Sequence, residues 1–132
     1  MPEDEYNHSM LHTSQPAEVL DHRILARLRI MQMPGEPDFL QEMIGIFMFD
    51  APPTFERARR AVSQADAAEY REAVHHLKST SNSLGACRLA SWCDEIENDL
   101  QHGQAGPAFA AFARLEAEYR LAVSALNQEI KP

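Results

Sequence analysis

Apolar residues recur at helical spacing in segment after segment of this chain, and the stretches between those segments are short. Val19, Leu20, Ile24, Leu28 and Met31 form one stripe, over a helix expected at residues 17–32. Phe55, Ala58 and Val62 face inward on a second helix, and Tyr70, Val74 and Leu77 mark a third. Leu89, Trp92, Cys93, Ile96 and Leu100 make a fourth stripe, over residues 87–102. Phe109, Phe112, Leu115, Tyr119, Ala122, Val123 and Leu126 make the last, running to Ile130. Strand-type alternation is nearly absent and glycine is sparse, at five residues. Short links between long amphipathic helices make successive helices antiparallel neighbours. The expected fold is all-α: an antiparallel up-down four-helix bundle with an additional N-terminal helix, over residues 17–130.

The punctuation between the stripes fits that reading. Met33-Pro34-Gly35-Glu36-Pro37 reads as a turn. Asp38 and Gln41 then make a capping-box pattern at the start of the second helix. Phe39, Leu40, Met43, Ile44, Ile46, Phe47, Met48 and Phe49 spread nearly all round that helix. Such a surplus means burial on most sides or an apolar surface kept for a partner. Ala51-Pro52-Pro53 is expected to kink or briefly break the helix, which resumes at residues 54–63. Asp66 is a plausible N-cap for the third helix, and Gly85 stands where a C-cap glycine would. Pro107 suits the first position of the last helix. Residues 1–16 lack periodicity and read as a flexible tail or the remnant of a linker.

A chain of 132 residues suits one domain with one real core. The net charge of -8, from 20 acidic and 12 basic residues, argues against binding a nucleic-acid backbone. It favours partners that present basic patches. Cys87 and Cys93 match neither a redox pair nor a zinc-ligand spacing, and read as small hydrophobes in a reducing cytosol. No apolar run is long enough to span a membrane and no signal segment opens the chain, so a cytoplasmic monomer is expected. No metal site is expected either. His75 and His76 are adjacent on a helix and point about 100° apart, so they cannot chelate together.

Chemistry concentrates on the third helix. With Leu77 at 0°, Tyr70, Ala73, Val74, Thr80, Ser81 and Leu84 fall within about 60° of it and form the buried stripe. His75 falls at about 160°, near the centre of the solvent face, with His76 on the shoulder at about -100°. Lys78, Arg71 and Asn82 lie beside His75, and Ser79 is its neighbour on the next turn. An exposed imidazole titrates near neutrality, so one ring nitrogen is a free nucleophile. Two cations within a turn disfavour its protonated form and attract a phosphoryl group. That face suits accepting and passing on a phosphoryl group, although a lone surface histidine most often does nothing.

The run from Val74 through His75-His76-Leu77-Lys78-Ser79 to Leu84-Gly85-Ala86 resembles the signature of histidine-containing phosphotransfer (HPt) domains. That pattern is His-x-Leu-Lys-Gly, small residues, then an apolar residue and glycine. The likeness continues in Arg88-Leu89-Ala90, in Cys93-Asp94-Glu95-Ile96-Glu97, and upstream from Pro34 to Leu40 and at Asp50-Ala51-Pro52. The resemblance implies that His75, in register with Leu77 and Lys78, is the phosphoacceptor and that His76 is not. It implies reversible transfer with an aspartate of a response-regulator receiver domain, which supplies the Mg2+; this chain itself binds no cofactor. Lys78, with Arg71, would lend charge to the phosphoryl group. The receiver would dock with exposed apolar residues of the second helix, Phe47 or Met48, and with Asn82. Ser79 departs from the pattern, which has glycine there; its hydroxyl would narrow the approach of a partner or reach the phosphoryl oxygens.

No GxxxxGK[ST] loop, GxGxxG or kinase signature set is present, so the chain is expected to be a phosphotransfer protein without its own ATP-dependent kinase activity. A hybrid sensor kinase carrying the domain at its C-terminus, or a free shuttle, fits the resemblance; the irregular start leans toward the former. The competing reading is a non-catalytic helical interaction module, in which the apolar second helix binds a partner and His75 is incidental.

Overall fold

The computed structural model describes residues 15–130, which are helical apart from short links and the opening segment. Six helices follow one another: α1 His22–Ile30, α2 Phe39–Ser63, α3 Ala67–Ser83, α4 Cys87–Gln101, α5 Ala105–Ala110 and α6 Phe112–Glu129. Helices α2, α3, α4 and α6 form the bundle, each packed on the next and α6 back on α2. Among the described residues no helix is long and apolar enough to cross a membrane.

Aspartates start three of the helices. The side chains of Asp21, Asp38 and Asp66 accept hydrogen bonds from the backbone N–H of Arg23, Gln41 and Glu69, satisfying donors that a helix start leaves open. Helix α3 ends in a Schellman turn. Gly85 N–H donates to Asn82 and Ala86 N–H to Ser81, which needs the positive φ of 77° that Gly85 adopts. The turn is also a docking point. Asp21 N–H donates to the Gly85 carbonyl at 2.8 Å, seating the start of α1 on it.

Three expectations about the helices need correction. The first helix starts at His22, not at residue 17, because Asp21 caps it there. Residues 17–20 instead form a strap across the start of α4, held by Arg88 Nη1 donating to the Ala17 carbonyl at 3.1 Å. Pro52 and Pro53 do not break α2, which runs unbroken for 25 residues. Both prolines lie on its exposed side, where water can meet the carbonyls of Met48 and Phe49 that lose their N–H partners. Pro107 is the third residue of α5, still in the first turn where its missing N–H costs nothing, and Ala111 separates α5 from α6. The expected tail over residues 1–16 lies outside the described residues except for Gln15 and Pro16.

Aromatic rings fill the middle of the core. Phe55 and Tyr119 sit 4.8 Å apart between centroids, Tyr70 and Phe109 5.5 Å, and the Tyr70 hydroxyl donates to the Ala108 carbonyl at 2.8 Å. Burial pushes the Tyr70 phenol far up, so that hydroxyl stays protonated. Two carboxylates are buried among the described residues, Glu97 and Glu118. Glu118 on α6, 1% exposed, is gripped by Arg88 of α4 at 2.8 Å and by Arg114 at 3.0 Å.

Candidate functional site

His75 projects from the middle of α3, with α2 on one flank and α4 on the other. Its side chain is 64% exposed, and its Nδ1 lies 3.0 Å from Oε2 of Glu97 on α4. Lys78, one turn further on, places Nζ 2.8 Å from Oε1 of the same carboxylate and 3.4 Å from Asp94 Oδ1. Burial pushes the Glu97 carboxyl up, but hydrogen bonds and charge from Lys78 and His75 outweigh it and hold it below the usual glutamate value. The hydrogen bond to Glu97 raises the Lys78 amine, against a smaller opposing effect of burial. Glu97 is thus an anion and Lys78 a cation. An ionised carboxylate only accepts hydrogen bonds, so the proton of the neutral His75 ring sits on Nδ1. The lone pair is left on Nε2, the nitrogen not engaged by Glu97.

The structure rearranges the expected roles around His75. Lys78 is turned toward α4 and engaged with carboxylates rather than held free over the imidazole. Arg71 is exposed one turn before His75 and makes no ion pair among the described residues. Ser79 is exposed and shares with His75 an open hollow between α2 and α3, which Asp50, Arg57 and His76 also line. Arg57 in that hollow is bound to Glu69 through two nitrogens, at 2.8 and 2.6 Å. His76 is exposed and bonded, its Nε2 2.6 Å from Asp50 Oδ2 on α2. Asn82 is exposed near the end of α3, and Thr80, expected in the buried stripe, is half-buried at its edge.

Phe47 needs a correction. It is 3% exposed, its ring 5.7 Å from that of Tyr119, so it belongs to the core and is no exposed docking residue. Met48 is exposed, but Ile46 and Phe49 are more so, with Phe49 at 85%. The apolar surplus of α2 therefore has two destinations. Leu40, Ile44 and Phe47 fill the core, while Ile46, Met48 and Phe49 face water. Met43, Ile46 and Phe47 also line a second, apolar hollow with Thr80 and Leu84, and Asp50 stands on the edge of both hollows.

Sequence reasoning named neither Glu97 nor Asp50 as a partner of these histidines. A signal for Glu97 existed: it lies about 40° round the helix from Cys93, on the shoulder of an apolar stripe, where a carboxylate needs a partner. Asp50 offered none, since which residue of α3 it meets depends on how the two helices pack. Among the described residues no group of three or more His, Cys, Asp or Glu could hold a metal ion.

Comparison with known proteins accounts for this architecture. Residues 42–129 match the Hpt domain family model, two thirds of the chain including both His75 and Glu97. The chain belongs to the Hpt domain family. It is similar to histidine-containing phosphotransfer protein 2 of Arabidopsis thaliana, 30% identical over 96 residues, covering 70% of this chain and 62% of the relative. Histidine-containing phosphotransfer protein 5 of the same plant is 25% identical over 101 residues, covering 73% and 63%. The match thus spans a little under two thirds of either relative. The structure of histidine-containing phosphotransfer protein B from Pseudomonas aeruginosa superposes with a TM-score of 0.75 at 27% identity, covering 86% of this chain and 96% of that one. A Medicago truncatula phosphotransfer protein shares the fold, with a TM-score of 0.70 at 22% identity over 96% of this chain and 88% of that one.

Proposed function

We propose that this chain is a phosphorelay intermediate that accepts a phosphoryl group on His75 Nε2 from an aspartate of a response-regulator receiver domain and returns it to a receiver. The observation that carries this reading is the clamped imidazole: Nδ1 engaged by Glu97 and the ring otherwise in solvent. In the forward step the Nε2 lone pair attacks phosphorus in line. The N–P bond forms as the P–O bond to the receiver's aspartate breaks, and that aspartate leaves as a carboxylate. The ring keeps its Nδ1 proton throughout and becomes cationic, and the Glu97 carboxylate facing that proton stabilises the charge. Lys78 acts through Glu97, holding the carboxylate ionised and in place. Little else is asked of this chain, because phosphoryl transfer rests mostly on positioning and charge neutralisation. The Mg2+ belongs to the partner receiver. Ile46, Met48 and Phe49 are the exposed apolar residues that α2 offers the receiver, with Asn82 on α3. The reading places the chain with its receiver in the cytoplasm, as a free shuttle or as part of a hybrid sensor kinase.

The test is to incubate the protein with a receiver carrying a labelled phosphoryl group. Acid-labile label on the wild type that is lost in His75→Gln and kept in His76→Gln is the expected result. Equal labelling of His75→Gln overturns the assignment. No labelling of the wild type across a panel of receivers favours a non-catalytic interaction module.

A further inference from the structure

The ridge of α3 is tied to both of its neighbours at one level. His75 reaches α4 through Glu97, and His76, the next residue, reaches α2 through Asp50 at 2.6 Å. The second tie stands where the two hollows between α2 and α3 meet. Asp50 lines the apolar hollow with Ile46 and Leu84, and it lines the polar hollow with His75 and Ser79. A surface docking around His75 has to lie across both. Resting on the phosphorelay reading above, we infer that Asp50 and His76 are positioning residues for transfer at His75: their hydrogen bond holds α2 against α3 and fixes the width of the groove that receives the partner. Neither side chain touches the phosphoryl group. The pair acts before chemistry, on how well a rigid receiver surface fits. Adjacent side chains on a helix point in different directions, so His76 can be pinned to α2 without turning His75 away from Glu97.

That division of labour predicts a particular kinetic signature. The pair is half-exposed, and exposed charge-assisted pairs contribute at most about a fivefold factor in an equilibrium. His76→Ala and Asp50→Ala are each expected to raise the receiver concentration giving half-maximal transfer by about fivefold, with the maximal rate constant unchanged. The double variant should be no worse than either single one, because both remove the same bond. His76→Gln, whose amide can still donate to Asp50, should restore the wild-type value. Thermal melts of all four variants, run alongside, separate a looser groove from a less stable bundle. Single variants that bind and transfer like the wild type overturn the inference, as do effects that add in the double variant or track only the melting temperature. A wild type that accepts no phosphoryl group from any receiver overturns the phosphorelay reading and this inference with it. Normal transfer at His75 with inert Asp50 and His76 variants removes only the inference.

Discussion

His75 Nδ1 and Glu97 Oε2 stand 3.0 Å apart, and that one contact decides which nitrogen of the imidazole is free. Because Lys78 keeps Glu97 ionised against the opposing effect of burial, the ring has one way to place its proton. Glu97→Ala removes the acceptor and lets the ring rotate and change tautomer. Transfer to His75 should slow by about a hundredfold, the low end of what positioned acid–base groups contribute. A long-range 1H–15N spectrum should show the Nδ1–H form of His75 in the wild type and a mixture in the variant. A wild-type spectrum dominated by the Nε2–H form would falsify the assignment.

The same carboxylate makes stability depend on pH in a fixed direction. Glu97's carboxyl is depressed in the folded chain, so the stability it contributes is fully present above its unfolded value of about 4.3. That contribution is lost as the pH falls through the lower folded value. Lys78 behaves in the opposite sense: its raised amine contributes below the unfolded value of about 10.4 and is lost as pH rises through the folded one. Urea melts from neutral pH downward should show Glu97→Gln losing less stability on acidification than the wild type. Parallel acid limbs for the two proteins would show that Glu97 is not held ionised by its partners.

Docking and folding can be separated on α2, where the apolar residues divide between core and solvent. Phe47→Ala opens the core against Tyr119 and should cost about 3–5 kcal/mol of stability. Phe49→Ala touches no core and should leave stability within about 0.5 kcal/mol. If α2 docks the receiver, Phe49→Ala weakens receiver binding with the melt unchanged, as titration calorimetry would read. Unaltered affinity would move the docking surface away from this helix.

Much of the fold was legible because it rests on local rules. The caps at Asp38 and Asp66, the Gly85 turn and the stripe on α3 follow from residue type and helical period, whereas the cap at Asp21 was missed. The angular position of His75 was right for the same reason, and so was its separation from His76. What the period could not supply was packing between helices. It shows that Phe47, Met48 and Phe49 point in three directions, but not which direction meets Tyr119. It places Lys78 near His75 but not the Glu97 carboxylate that draws the amine toward α4. The prolines of α2 misled for a related reason: their cost depends on whether the orphaned carbonyls meet water.

Gly85 is a second place where local and tertiary demands coincide. Its φ of 77° is strained for any side chain, and a Cβ there would stand 3.1 Å from the Asp21 carbonyl oxygen and 3.2 Å from Ile24 Cβ. Gly85→Ala therefore strains the turn after α3 and pushes α1 off it. A loss of about 1–3 kcal/mol is expected in denaturant melts. Gly103 also has a positive φ, 73°, but open space around it. Gly103→Ala should cost about 1 kcal/mol, the backbone term alone. Equal losses at the two sites would show that the contact with α1 contributes nothing.

A loss as large as that at Phe47 is expected far from His75, at Glu118. Its carboxylate is buried between Arg88 and Arg114, and Arg114 also lies over the Trp92 ring at 5.2 Å. Arg88 in turn holds the strap at Ala17, so one carboxylate organises α4, α6 and the approach of the chain to α1. Removing one partner of such a group strands the others, at about 3–5 kcal/mol. Glu118→Ala should lower stability by that amount, and Glu118→Gln by less, since the amide oxygen still accepts from one arginine. Proteolysis should then cut the strap near Ala17 faster in Glu118→Ala than in the wild type, because Arg88 no longer has an anchor. Transfer per folded molecule should be unchanged, since Glu118 touches neither His75 nor the α2–α3 groove. A variant that melts like the wild type would show that the two arginines find other partners and that the buried carboxylate is dispensable.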